Sequence, residues 1–356
     1  MVRALFLALL LIWWHAALAD VVTELRESAM AIAGAHEASG KDPKADINLD
    51  KPIAVLTRLI ESGQLNPGGM AIARYWRARA YSTLNFSRQG RGQKADAELA
   101  RRSLKDFDDV IAARIEIREW GMSIADGIYG AGAVAFNHLD DSALAHQYWQ
   151  RCAALGHAGC LNIMASARLT GAGGVAVDIS QSIALNKMVY DTGTDFRCAG
   201  AYSALANAQI IHFAALQGQA VGELEWMSRA YALLDELQKE EKNDNPCDRS
   251  FFELTEYLMR LARGERKPEL LRAAAGRTAG NDLRPAARHL LGEINRDAFE
   301  QSIQDIALKH MQCSAHFIAA WSAALERDMA RSARHTEAMK ALGRCDISLA
   351  LMRLRK

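Results

Sequence analysis

From residue 20 onward, apolar residues recur three and four positions apart, in segments of about 10 to 20 residues, and no segment alternates residue by residue. In the stretch from Asp20 to His36, for example, Val21, Leu25, Ala29 and Ile32 fall on one side at helical spacing. This period excludes half-buried strands and specifies amphipathic helices. Gly, Asn and Pro punctuate the segments: the chain has 25 Gly and only 6 Pro, and half of its residues are hydrophobic. It therefore folds around buried helix faces and is neither disordered nor fibrous.

The spacing predicts helices over Lys51–Gly63, Met70–Asn85, Ala95–Arg114, Trp120–Phe136, Ser142–Leu155 and Cys160–Leu169. Further helices follow at Ile179–Tyr190, Cys198–Leu216, Glu223–Lys242, Phe251–Arg263, Pro268–Arg277 and Arg284–Ile294. Asp297–Asp328 reads as one or two helices, and His335–Leu342 and Ile347–Arg355 close the chain. The stretches Ala35–Asp50, Asn66–Gly69, Ser87–Gln93 and Gly171–Gly174 read as loops or turns. Short connections favour antiparallel neighbours, and repeated helix pairs stack side by side. The expected fold is all-α: a right-handed α-α superhelix, or solenoid, of antiparallel helix pairs.

The first nineteen residues read as a secretory signal. Arg3 is followed by an apolar run from Ala4 to Trp14, and Ala17-Leu18-Ala19 offers a small-x-small cleavage site. Eleven apolar residues make a helix of about 16 Å, too short for a bilayer core. The remainder, about 337 residues, then carries 42 bases and 42 acids. That balance excludes a globally basic nucleic-acid binder. The protein is expected to be periplasmic or secreted and not membrane-spanning. The organisation reads as 1–19 signal, 20–119 N-terminal helices, 120–263 a repeat core, and 264–356 a C-terminal helical part or cap.

All six cysteines follow that leader, and an even count in an exported chain implies disulfides. Fifteen pairings are possible, beside the alternative of free buried thiols. Helix-hairpin geometry ranks them, because residues equally far from a turn face each other. Cys152 and Cys160 are centred on Gly156, Cys198 and Cys247 between Gly222 and Glu223, and Cys313 and Cys345 on Met329. The local pairs Cys152–Cys160, Cys198–Cys247 and Cys313–Cys345 are therefore favoured.

Two stretches resemble known helical repeats. Ala145, Tyr148, Trp149, Cys152, Ala153 and Gly156, followed by Cys160, Met164, Ala165 and Gly171, resemble a Sel1-like repeat. Gly174-Val175 followed by Asp178 resembles that family's inter-repeat turn, and Leu185, Val189 and Gly193 continue the pattern. The chain departs from it with one extra residue between Gly171 and Gly174, Arg168 in place of an aromatic, and Ser182 in place of Ala. Tyr75, Arg77, Ala78, Ala80 and Tyr81, with Ala95, Ala97, Asp106, Phe107 and Val110, resemble a tetratricopeptide repeat with a long linker. The resemblance implies a helical-pair solenoid that binds a protein or peptide on a concave face. Some cysteine-rich Sel1-like relatives have been assigned weak penicillin-binding or β-lactamase activity, but no Ser-x-x-Lys signature occurs here.

Catalytic motifs are missing from the sequence: no His-Glu-x-x-His, no phosphate-binding loop of the Gly-Lys-Ser/Thr type and no Gly-x-Ser-x-Gly elbow. His310, Cys313 and His316 share a helical arc that could face one ion, but a disulfide at Cys313 removes the thiolate. The pairs Glu116/Glu119 and Glu253/Glu256 read as solvated faces, and His157 as a turn residue. Asn85-Phe86-Ser87 matches a glycosylation acceptor, and Arg353, Arg355 and Lys356 form too small a basic end to bind nucleic acid or membrane. No cofactor and no metal are expected. Candidate partner contacts are Tyr75, Arg79, Tyr81, Trp120, Trp149 and Trp226, because aromatics and Arg dominate interface hot spots. The favoured function is an exported, disulfide-stapled scaffold binding a protein or peptide in the cell envelope. The alternatives are an envelope hydrolase and a structural, self-associating subunit.

Overall fold

A computed structural model of the chain describes residues 2–354 except 43, 117–119, 121, 193–197, 215–221, 241–246, 278–282, 307–308 and 344. Among the described residues the chain forms seventeen α-helices and no strand. They divide into two compact units, residues 1–160 and 161–356. In each unit, helices adjacent in sequence pack on one another.

The first unit comprises α1 (Val2–Lys41), α2 (Asp50–Glu61), α3 (Pro67–Gly90), α4 (Ala97–Ala113), α5 (Ile124–His138), α6 (Ser142–Ala154) and the first turn of α7 (Ala158–Thr170). Two stretches read from sequence as turns are helical. Asn66-Pro67-Gly68-Gly69 begins α3: Asn66 Oδ1 accepts from the Gly69 N–H at 2.7 Å, and Pro67 occupies the first turn, where its missing N–H costs nothing. At the other end α3 runs on to Gly90. Likewise α1 continues to Lys41, through part of the stretch from Ala35 that reads as a loop. The long linker after α3 is anchored instead by Asn85, whose Nδ2 donates to the Asp96 carbonyl at 3.0 Å while its Oδ1 accepts from the Asp96 N–H at 2.7 Å. Asp96 in turn caps α4. Moving inward, Ser103 donates to the Ala78 carbonyl and Arg77 pairs with Asp106. As the α3 number falls the α4 number rises, so the two helices are antiparallel.

The glycines of α5 have a packing reason. A Cβ on Gly130 would lie 2.6 Å from Phe107, and one on Gly132 2.4 Å from Trp149 Nε1. Phe107 on α4 and Trp149 on α6 therefore press against the α5 backbone from two neighbours. Both are buried, among Val110, Ala131, Val134 and Ala135.

The second unit holds the rest of α7, then α8 (Ile179–Asp191), α9 (Ala199–Phe213), α10 (Glu223–Glu240), α11 (Arg249–Ala262), α12 (Pro268–Gly276), α13 (Arg284–Leu290), α14 (Arg296–Gln304), α15 (Lys309–Leu325), α16 (Met329–Leu342) and α17 (Asp346–Leu354). The Gly171–Gly174 connection is a tight turn with Gly171, Gly173 and Gly174 all at positive φ. The two residue replacements among the departures from the repeat pattern have local roles. Arg168 donates to the Ala176 carbonyl at 3.2 Å across this turn, and the buried Ser182 hydroxyl donates to the Ala165 carbonyl at 2.8 Å. In the later helices, α15 packs on α11 and α13, and α17 packs on α9, α15 and α16. One apolar core runs through the unit, from Leu169 to Leu351, with Phe252, Phe317 and Trp321 among its fully buried side chains.

Three disulfides link Cys152 to Cys160, Cys198 to Cys247 and Cys313 to Cys345. The first spans the turn between α6 and α7. The other two tie the open ends of helix hairpins: Cys198 precedes α9 and Cys247 follows α10, while Cys313 is in the first turns of α15 and Cys345 follows α16.

Candidate functional site

The first unit carries an open groove of about 800 Å³ between α2, α3 and α4. Thr57, Arg58 and Glu61 come from α2, Arg77 and Tyr81 from α3, and Arg102, Lys105 and Asp106 from α4. Its floor is the Arg77–Asp106 pair, with two hydrogen bonds of 2.8 Å each, and Arg77 also donates to Thr57 Oγ1 at 3.1 Å. The hydrogen bond to Asp106 keeps the Arg77 guanidinium more firmly protonated than usual. The rim carries three more bases, each with a carboxylate: Arg58 with Glu24 at 2.5 Å, Arg102 with Glu98 at 3.1 Å and Lys105 with Asp109 at 2.8 Å. The Arg58 and Arg102 pairs are exposed and so contribute little to stability, whereas the half-buried Asp109 is shared between Lys105 and Arg74.

Of the contacts expected from sequence, Tyr81 lines this groove and is mostly buried. Tyr75 lies in the core, edge-on to Trp76 and Phe107, and Arg79 beside it is half-buried. Trp149 is buried against Phe136, His146 and Gly132. Trp226, in the second unit, is buried edge-on to Tyr190, with the Arg229 guanidinium 4.8 Å over its ring. Trp120 is half-buried. The geometry thus does not gather the six residues at one place. Arg77, Arg102 and Asp106 of the groove are absent from that set because only the pairing of α3 with α4 brings them together.

The residues with chemical potential are engaged elsewhere. Cys152, His157 and Cys160 offer ligand atoms within 4.8 Å of one another, but the two sulfurs are bonded together. The His157 ring approaches Asp126 Oδ1 at 3.3 Å. Burial pushes the Asp126 carboxyl upward, but hydrogen bonds from His157 and Ser123 outweigh it and hold the group below the usual range. In the arc read as a possible metal set, Cys313 is bonded to Cys345, His316 Nδ1 meets His335 Nδ1 at 3.0 Å, and the His310 side chain lies outside the described residues.

Glu253 and Glu256, read from sequence as a solvated face, are instead buried, Glu253 paired with Arg277 and Glu256 with Arg260 at 2.7 Å. Glu119, Gly193, Arg355 and Lys356 lie outside the described residues.

The Ser82 hydroxyl meets His138 Nε2 at 3.1 Å. Burial lowers the His138 pKa to about 4, and its Nδ1 has no hydrogen-bond partner. A weak base with no group orienting it does not activate a hydroxyl.

Among the described residues, no helix is long and apolar enough to cross a membrane. Three disulfides suit an oxidising compartment. No family model matches the chain, and no curated protein matches it.

Proposed function

We propose that this chain is an exported, non-catalytic scaffold that holds an acidic segment of a partner protein in the groove between α2, α3 and α4. The observation that carries this reading is the groove's arrangement: a buried, charge-compensated floor beneath a rim of three bases held by the exposed Glu24 and Glu98 and by the half-buried Asp109. Exposed ion pairs are worth about 0–1 kcal/mol, so a partner's carboxylates can replace Glu24 and Glu98 at little cost, and Asp109 keeps Arg74 as its partner when Lys105 turns away. The floor stays in place during that exchange because the Arg77–Asp106 pair is buried. In this reading the helix pairs belong to a right-handed, Sel1-like or tetratricopeptide-like array, and the disulfides keep it folded outside the cytoplasm.

The test is affinity capture from the protein's own envelope extract with the tagged, oxidised full chain, beside the variant R58E/R102E/K105E. All three positions are exposed or on the rim, so the variant retains the fold. The expected result is one stoichiometric partner retained by the wild type and lost from the variant. A partner held equally by both, or none held by either, overturns the reading.

A further inference from the structure

The second unit contains a cleft of about 690 Å³ bounded by α11, α13, α14 and the α15–α16 hairpin. Arg266, Arg296 and Arg331 face it together with a single carboxylate, Glu326. With Asp328 reaching Arg331 from behind, three guanidiniums stand against two acids and leave a surplus of one positive charge. The groove of the first unit also has an excess of bases, but there each base has a carboxylate within ion-pair distance. Here Glu326 is committed to Arg331, and among the described residues neither Arg266 nor Arg296 forms an ion pair.

The three arginines differ in a useful way. Arg331 is buried, held between Glu326 and Asp328, and its Nε has no hydrogen-bond partner. It is a fixed donor at the inner wall. Arg266 and Arg296 are exposed at the mouth. Arg296 is also the first residue of α14, which Asn295 caps, so the positive end of that helix adds to the local potential. The remaining lining is apolar or aromatic: Leu261, Leu290, Leu325 and the ring of Tyr257. His289 is oriented by donating Nδ1–H to the Ile294 carbonyl at 3.3 Å and stacks on Phe299.

We infer that this cleft binds a small organic dianion, with an apolar body against Leu261, Leu290 and Leu325 and a phosphate or a pair of carboxylates among Arg266, Arg296 and Arg331. The volume suits a ligand of that size. Planar guanidiniums recognise phosphate and carboxylate oxygens by paired hydrogen bonds, and the two arginines without an ion pair, Arg266 and Arg296, suit a group that offers both of them oxygens. The cleft lies wholly within the second unit, so this assignment stands apart from the partner groove of the first.

The test is calorimetric titration of the oxidised full chain with phenyl phosphate, at about 0.15 M chloride to screen diffuse attraction. Phthalate and phenol are titrated in parallel. Saturable binding of phenyl phosphate or phthalate at one site per chain is expected, with phenol silent. Whichever of the two acids binds more tightly separates a phosphate ligand from a dicarboxylate. Arg266→Gln and Arg296→Gln, both exposed and so compatible with the fold, are each expected to weaken binding about tenfold. Arg58→Gln in the other groove is expected to leave it unchanged. No saturable binding of either acid up to about 10 mM overturns the assignment, as does binding that survives both cleft substitutions or follows Arg58→Gln.

Discussion

Arg77 and Asp106 meet through two parallel hydrogen bonds of 2.8 Å, Nε to Oδ2 and Nη2 to Oδ1, with the Asp106 side chain almost fully buried. Removing one partner leaves the other charge buried without compensation. Asp106→Ala is expected to destabilise the chain by about 3 kcal/mol, whereas Arg77→Met with Asp106→Leu recovers most of that loss. Urea unfolding of the single and double variants checks this. A single variant as stable as wild type would show that the pair does not support the groove floor.

Glycine content in α5 is a packing requirement. Gly132→Ala places a methyl 2.4 Å from Trp149 Nε1, and the expected cost is about 1–3 kcal/mol. Gly34→Ala on α1 meets nothing within 4 Å and is expected to stabilise by about 0.5–1 kcal/mol through helix propensity alone. Thermal melts of the two variants should move in opposite directions.

The three disulfides close loops of different size, with separations of 8, 32 and 49 residues. The chain-entropy model assigns them roughly 2.5, 3.7 and 4.1 kcal/mol. Serine pairs replacing Cys152–Cys160, Cys313–Cys345 and Cys198–Cys247 should therefore lower stability in that order. A larger loss from the shortest loop would mean that native packing at the α6–α7 turn outweighs chain entropy.

Acid should weaken both units. In the folded chain His138 and His335 titrate near pH 4 rather than 6.5, in each case because burial disfavours the charged ring. For His335 the neighbouring His316 ring and the cations Arg331 and Arg334 add to the effect, and Glu300 lies 3.9 Å from its Nε2. Between these values the unfolded chain binds protons that the folded chain does not. Stability is thus complete above about pH 6.5 and falls as the pH drops toward 4, by on the order of 3 kcal/mol per histidine. Urea midpoints measured between about pH 7.5 and 4.5 should show this decline, and His138→Gln or His335→Gln should flatten it. A midpoint independent of pH in the wild type would contradict neutral burial of these rings.

The helical segments, the all-α class and the spacing of the cysteines about their turns follow from the sequence by itself. The reason is range: a 3.6-residue period and a loop closed across one turn are set by residues near one another in the chain. Gly156, at positive φ, marks the α6–α7 turn, and Asp328, the N-cap of α16, marks the α15–α16 turn, each through local chemistry. Helix ends were less legible. Asn66-Pro67-Gly68-Gly69 carries turn residues that also start helices, and only the packing of α3 on its neighbours selects the second use.

Tertiary structure alone decided which large side chains are core and which bases meet. Tyr75, Trp149 and Trp226 resemble interface anchors in one dimension, yet each is covered by a neighbouring helix. His316 and His335, nineteen residues apart, touch only because α15 and α16 fold back on each other. Arg266 lies between α11 and α12, Arg296 opens α14 and Arg331 is in α16, and no period links them. Their convergence depends on how α11, α13, α14 and the α15–α16 hairpin pack. Burial energy summed over many apolar contacts sets that packing, and the charges are carried along with it.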